Sequence, residues 1–246
     1  MTYAPHPTAL GNWTYAGLPI QAEVETHKMV VDICQRHLPK SGRILDVAAG
    51  HGALSKSLLD CGFSVSCTSW NGKVDLPIST YLVDLDKPFD CAIVGEQHYG
   101  MASAIEIIEH VENPAQFLRS LAGVVEHGGY LLLSTPNVES AQARIEWLLN
   151  GFPYSFSPEE IYGNRHISLM WRQGIEAMLS MAGFDIVERH FVGRYRFSGR
   201  LQKLLRQPCY WFIESVFRGD TRGTSRLYLA KRSERVPRVL GAEDVA

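Results

Sequence analysis

The segment Arg43–Leu54, Arg-Ile-Leu-Asp-Val-Ala-Ala-Gly-His-Gly-Ala-Leu, leaves a folding chain few choices. Ile44, Leu45 and Val47 form a short apolar, β-prone run, followed by the small residues Ala48, Ala49, Gly50 and Gly52. Beyond them Leu54, Leu58 and Leu59 share one helical face, with Lys56 on another. A buried parallel strand, a tight turn and a helix fit that order of residue types. Glycines at 50 and 52 let the backbone turn sharply and approach a ligand with no side chain between. In open α/β sheets ligands bind past the carboxyl ends of the strands, where this turn would lie. A dinucleotide cradle is not supported, because Ser55 stands where G-x-G-x-x-G needs its third glycine.

The chain of 246 residues, 46% hydrophobic and 20% charged, suits a single α/β domain spanning residues 1–246. Its five cysteines contain no C-x-x-C pair, which points to free thiols in a reducing compartment rather than a zinc ribbon. No basic segment followed by an apolar core opens the chain, and no apolar run nears the roughly 18 residues of a membrane span. A cytoplasmic location is expected. The net charge of −2 is unevenly spread: residues 189–238 hold thirteen Lys/Arg against three Asp/Glu, a net of +10, leaving −12 elsewhere. That asymmetry suggests an anionic partner for the basic end.

Residues 1–20 mix prolines and glycines with Trp13 and Tyr15 and read as an irregular lead-in. A helix is predicted over Gln21–His37, and strands over Phe63–Thr68, Thr80–Val83, Tyr99–Ile105, Tyr130–Ser134, Asp185–Phe191 and Arg226–Ala230. The helix between the second and third strands should be short or missing. Pro114 opens an amphipathic helix with Phe117, Leu118, Leu121, Val124 and Val125 inward. Another helix is predicted over Val138–Asn150, with Ala141, Ile145, Leu148 and Leu149 inward, and an irregular stretch from Gly151 to Ile167. Ile175, Met178, Leu179 and Ala182 mark a further helix. An insertion, Val192–Thr224, is amphipathic and basic, and Pro208 should break its helix. Residues 232–246 form a tail.

Asp46, Ala48, Gly50 and Gly52 spell D-x-A-x-G-x-G, which resembles the first motif of class I S-adenosylmethionine-dependent methyltransferases. Glu106, Glu109, His110 and Pro114 spell E-x-x-E-H-x-x-x-P, and Ser134–Asn137 spell S-T-P-N. Both resemble a subset that includes ubiquinone-biosynthesis O-methyltransferases and small-RNA 2′-O-methyltransferases. The resemblance implies a Rossmann-like α/β fold: a seven-stranded sheet with an antiparallel last strand and helices on both faces. Residues 43–134 would form the cofactor-binding half, and 135–231 the substrate half with its insertion 192–224. It implies S-adenosylmethionine as cofactor, its ammonium held near Asp46 and its amino-acid end against the turn at Ala48, Gly50 and Gly52. Trp70 would lie against the adenine and Asp84 would accept from its amino group, whereas Ser69 replaces the usual ribose-binding acid.

The same resemblance places Glu106, Glu109, His110 and His166 around a divalent metal (Mg, Mn or Zn), with His110 and His166 catalytic. The alternative is a metal-free site with His110 as general base. If residues 106–110 turn helical, Glu106, Glu109 and His110 share one face. His51, His98 and Tyr99 are further polar groups expected near the crevice. The expected reaction is O-methylation of a small-molecule, sugar or lipid-linked hydroxyl. RNA 2′-O-methylation and non-catalytic binding are the alternatives. Against RNA, no separate RNA-binding module is visible and the chain is slightly acidic overall. The insertion could close over the acceptor as a lid or rest on an anionic membrane surface.

Overall fold

A computed structural model describes residues 6–7, 13–95, 97–195 and 199–233. Seven strands form one sheet: β1 (Arg43–Val47), β2 (Ser64–Ser69), β3 (Thr80–Leu82), β4 (Tyr99–Ala104), β5 (Val125–Pro136), β6 (Phe184–Val192) and β7 (Ser225–Arg232). Their order is β3-β2-β1-β4-β5-β7-β6. Strands β1 to β5 pair parallel, while β7 runs antiparallel between β5 and β6. The expected Rossmann-like topology is thus met, antiparallel last strand included.

Alternation along the strands feeds two cores, one on each sheet face. Leu45, Val47, Leu131 and Leu133 join α3 (Pro114–Val124) and α5 (Arg172–Met181) through Phe117, Leu118, Leu121, Ile175 and Leu179. Ile44, Leu132, Leu227 and Leu229 turn the other way, onto α1 (Val24–His37) and α2 (Ala53–Asp60). Strands buried on both faces read as continuous apolar runs, which is why they were visible in the sequence.

Four local expectations are corrected. The lead-in is ordered where described: Trp13–Tyr15 pairs with Leu18–Pro19 across a turn whose Ala16 and Gly17 are left-handed. Tyr15 is buried, and its hydroxyl donates to Asp60 Oδ2 (3.1 Å), pinning the hairpin on α2. The helix expected from Val138 begins at Ala141 (α4, Ala141–Asn150), after Ser140 caps it by accepting from the Ala143 N–H. Its buried residues include Ala141, Gln142, Ala143 and Glu146, whereas Leu148 (84% exposed) and Leu149 point outward. The insertion forms α6 (Arg200–Val216), which runs through Pro208 instead of breaking there. The stretch after α4 contains a short 3₁₀ turn, Tyr154–Phe156, and a π turn, Glu160–Asn164. Between β2 and β3 residues 70–79 form no helix, as expected. Of the tail, residues 234–246 lie outside the described residues.

The turn after β1 carries three left-handed residues, Ala48 (φ 58°), Gly50 (φ 56°) and Gly52 (φ 88°). An added Cβ at Gly52 would lie 2.6 Å from Val74 Cγ1 and 2.8 Å from Leu76 Cδ1, so only glycine fits there. Ala48 holds its conformation through its N–H, which donates to Thr68 Oγ1 (2.9 Å). Left-handed backbone costs a residue with a Cβ about 1–2 kcal/mol. Glycine relieves that strain but adds about 0.5–1 kcal/mol of unfolded-chain entropy. Ala48→Gly is therefore expected to stabilise the fold by about 0.5–1 kcal/mol, read by urea unfolding; a destabilised variant would show the turn to be unstrained.

Candidate active site

Asp46 closes β1 with its carboxylate buried rather than open to a crevice. Its Oδ2 accepts from Ser55 Oγ (2.6 Å) at the start of α2, and its Oδ1 from Ser103 Oγ (2.9 Å), its register partner on β4. Burial outweighs these hydrogen bonds and pushes its pKa up to about 6. At Gly50 an added Cβ would meet Gln21 Oε1 at 1.8 Å, so the lead-in delivers a side-chain amide directly onto the glycine turn. His51 Nδ1 lies 2.9 Å from Asp75 Oδ2 and ties the turn to the segment between β2 and β3.

The adenine-side expectations fall at the surface. Trp70 is 85% exposed, and Asp84 is exposed with Lys87 Nζ 3.0 Å away, which holds its carboxyl below the usual range. Ser69 is buried and donates to Asn71 Oδ1 (2.7 Å), so it braces its own turn. Tyr99, expected near the crevice, begins β4 at the opposite edge of the sheet, its hydroxyl donating to Val94 O (2.6 Å).

Past β4 the chain makes one 3₁₀ turn, Ile108–His110, and there Glu109 and His110 meet His166. One ligand atom of each lies within 4.8 Å of the others, and the two imidazoles stand edge to face at 4.6 Å. Backbone pairing makes this meeting: the N–H groups of Ile167 (3.0 Å) and Ser168 (2.9 Å) both donate to Glu109 O. Arg165 adds ion pairs to Asp86 (3.1 Å) and Glu112 (2.6 Å), fastening the π turn to the 3₁₀ turn.

Each histidine is oriented through Nδ1, His110 by Asn164 O (2.7 Å) and His166 by Ser155 O (2.6 Å). A carbonyl oxygen can only accept, so Nδ1 carries a proton in both rings, and in the neutral form of either ring the lone pair lies on Nε2. Burial, with His166 beside it, lowers the pKa of His110 and keeps it neutral. The Glu109 carboxylate is fully buried, with no hydrogen bond of ordinary geometry on either oxygen among the described residues, although the Thr135 hydroxyl is near enough to favour its charged form. Burial, and then the charge of Glu106, raise its pKa well above the carboxylate range.

Glu106 does not share the face of Glu109 and His110. Its backbone is left-handed (φ 50°), which swings the side chain toward β5 and β7. There Oε1 accepts from Ser134 Oγ (2.7 Å) and Oε2 faces Ser225 Oγ (3.5 Å). Of the four residues expected around a metal, three come together and Glu106 stands beside them on other partners.

The methyltransferase-domain family matches residues 25–189, most of the sheet and both halves of this site. The chain belongs to the class I S-adenosylmethionine-dependent methyltransferases. It is 30% identical over 122 residues to the ubiquinone biosynthesis O-methyltransferase of Nitrosospira multiformis, covering 46% of this chain and 51% of that one. The match thus spans about half the length of that relative. The fold is shared with an S-adenosylmethionine-dependent methyltransferase from Mesorhizobium loti (TM-score 0.51, 16% identity, 84% of this chain and 98% of that one). It is shared too with magnesium protoporphyrin IX methyltransferase from Synechocystis PCC 6803 with bound SAH (TM-score 0.54, 16% identity, 85% and 83%).

Three residues that brace the glycine turn and the histidine cluster, Gln21, Asn164 and Ser155, had no signal in the sequence. Gln21 reaches the glycine turn only because the lead-in folds as a hairpin. The orienting carbonyls of Asn164 and Ser155 carry no residue-type signature at all. Arg165, between Asn164 and His166, could have been suspected from the cation it sets beside the acidic loop after β3.

Asp46 gives the methyltransferase a pH signature. Its folded pKa of about 6 lies above its ordinary value of 3.8, so the fold binds this proton more tightly than the unfolded chain does. The stability this contributes is present below about pH 4 and is lost as pH rises through about 6. Relative to Asp46→Asn, the native chain should lose on the order of 3 kcal/mol across that window. Urea unfolding at several pH values checks this, and parallel curves for the two proteins would refute it.

Proposed function

We propose that this chain transfers the methyl group of S-adenosylmethionine to the hydroxyl of a small-molecule acceptor at Glu109, His110 and His166. The observation that carries the reading is the fully buried Glu109 carboxylate gathered with two imidazoles that are each oriented through Nδ1 by a carbonyl. Methyl transfer from a sulphonium is a displacement, so rate depends on holding the acceptor oxygen in line with the methyl. The acceptor also has to lose its proton, which a base or a cation must assist.

His110 suits the base. It is neutral, its Nδ1–H is spent on Asn164 O, and its Nε2 is left to take a proton. The donor set also fits a divalent cation: one carboxylate and two imidazoles, each imidazole oriented through its other nitrogen by a carbonyl. Glu109, His110 and His166 would hold the ion, and Glu106 would add negative charge from its place on Ser134. Such an ion supplies a lowered pKa for the bound hydroxyl and offsets the burial of Glu109. At the cofactor end the glycine turn and Gln21 receive the amino-acid part, while buried Asp46 braces the turn from beneath through Ser55 and Ser103. The resemblance to ubiquinone biosynthesis O-methyltransferases, whose name states O-methylation, supports oxygen as the acceptor atom.

With the ion part of the site, chelation abolishes turnover, added Mg²⁺, Mn²⁺ or Zn²⁺ restores it, and Glu109→Gln and His166→Ala each cost about 10²-fold or more. Full turnover in excess chelator would refute the metal and leave His110 as base, with His110→Ala far more damaging than His166→Ala. SAH binding by calorimetry tests the cofactor assignment apart from either.

A further inference from the structure

Helix α6 is built inside out. At 100° per residue, Leu201, Leu204, Leu205, Trp211, Phe212 and Val216 fall on one arc of about 140°. That arc faces solvent, each of the six being between 59% and 72% exposed. The domain side of the helix is the polar one. Tyr210 is buried there against the Tyr195 ring (4.7 Å between centroids), and the Glu214 carboxylate faces the Tyr195 hydroxyl. An ordinary surface helix has the opposite arrangement. Scattered exposed apolar residues need no partner, but a continuous stripe of six large ones marks an interaction surface. Next to it α4 presents Leu148 and Leu149, and Arg144 Nη2 ties α4 to the chain just beyond α6 by donating to Arg218 O (3.0 Å).

We propose that the outward face of α6, with the end of α4, docks on the surface of a bilayer carrying anionic phospholipid. Charge selects this occupant. The stripe lies within a segment, 189–238, that is net +10 in sequence, and exposed Arg200 and Arg218 stand at the two ends of the helix that carries it. A second copy of the chain would bring those cations against their own counterparts, whereas anionic headgroups pair with them. Trp211, Phe212 and the exposed Phe217 are the residue types that settle at the headgroup boundary. Docking would be peripheral, because no described helix is long and apolar enough to cross a membrane.

The docking face connects to the candidate site. Beyond Leu149 the chain turns back so that Tyr154 N–H donates to Glu146 Oε2 (2.8 Å), and the next carbonyl, Ser155 O, orients His166. Resting on the methyl-transfer reading, this proximity makes the acceptor a hydroxyl compound dissolved in the bilayer and taken up from its surface.

The test is co-sedimentation of the full chain with phosphatidylcholine vesicles and with vesicles that also contain phosphatidylglycerol. Binding is expected on the mixed vesicles, weakening as salt is raised. The double variant Trp211→Ala/Phe212→Ala should lower it roughly tenfold or more while melting temperature and SAH binding stay unchanged, since both side chains face solvent. Leu204→Glu, which puts a charge in the stripe without removing an aromatic, should do the same. Absence of sedimentation at low salt overturns the proposal, as does undiminished binding by the double variant. A dimer seen by light scattering and dissolved by the double variant would assign the stripe to a second copy. SAH calorimetry on the same samples separates the two readings: vesicle binding without SAH binding keeps the docking face and removes the methyl-transfer role.

Discussion

The carboxylate of Asp46, clasped between two serine hydroxyls at the centre of the sheet, is the constraint on which the rest of the molecule turns. Ser103 belongs to β4 and Ser55 to α2, so one side chain joins the central strand pair to the first helix. A buried carboxylate with no partner would be expensive, and two short hydrogen bonds make the position tolerable without making it favourable to ionise. Because α2 is held at Asp46, the five residues 48–52 must climb from strand to helix in a fixed distance, and left-handed backbone at three of them is how they do so. The same closure places Val74 and Leu76 against Gly52, which removes any room for a side chain there. Turn, strand end and helix start are one mechanical unit.

Strands and the α3 and α5 helices were legible in the sequence because burial on a doubly covered sheet imposes a period that composition alone can satisfy. Leu118 and Leu121 had to face inward, since the opposite face of α3 carries Gln116 and Arg119. The period failed for α4, where Leu148 and Leu149 follow the inward spacing but lie beyond the last turn covered by the domain. It failed at Pro208 for another reason. A proline removes one helical hydrogen bond, and on the solvent side of α6 the freed Leu204 carbonyl is not buried, so the helix survives. The site was legible as residue types and not as geometry. Nothing in E-x-x-E-H announces that Glu106 takes a left-handed backbone and leaves the other two.

That turn at Glu106 separates two like charges without uncoupling them. Two glutamates three residues apart on one face would raise each other's pKa and leave both partly protonated. Here Glu106 goes to the hydroxyls of Ser134 and Ser225, and Glu109 stays in a dry pocket, where burial and then the charge of Glu106 raise its pKa. Paired carboxylates whose surroundings push them apart take different roles. Glu109 is the group whose state depends on what else enters.

The basic end of the chain is attached by a second buried charge. Arg226, wholly buried on β7, reaches Glu139 (2.5 Å), Asp220 (3.2 Å) and Asn137 Oδ1 (2.9 Å). Asn137, the last residue of the S-T-P-N run, also donates to Asp220 O (2.8 Å) and Arg222 O (2.9 Å), so the exit of the insertion is sewn to the end of β5. This network lies at the carboxyl edge of the sheet, and it ties α6 to the strand that supplies Ser134 to Glu106. Breaking a buried pair by removing one partner is costly, whereas an exposed one is worth little. The firm join is therefore at the base of the insertion. Its outer face is left free to serve contact with something beyond the domain.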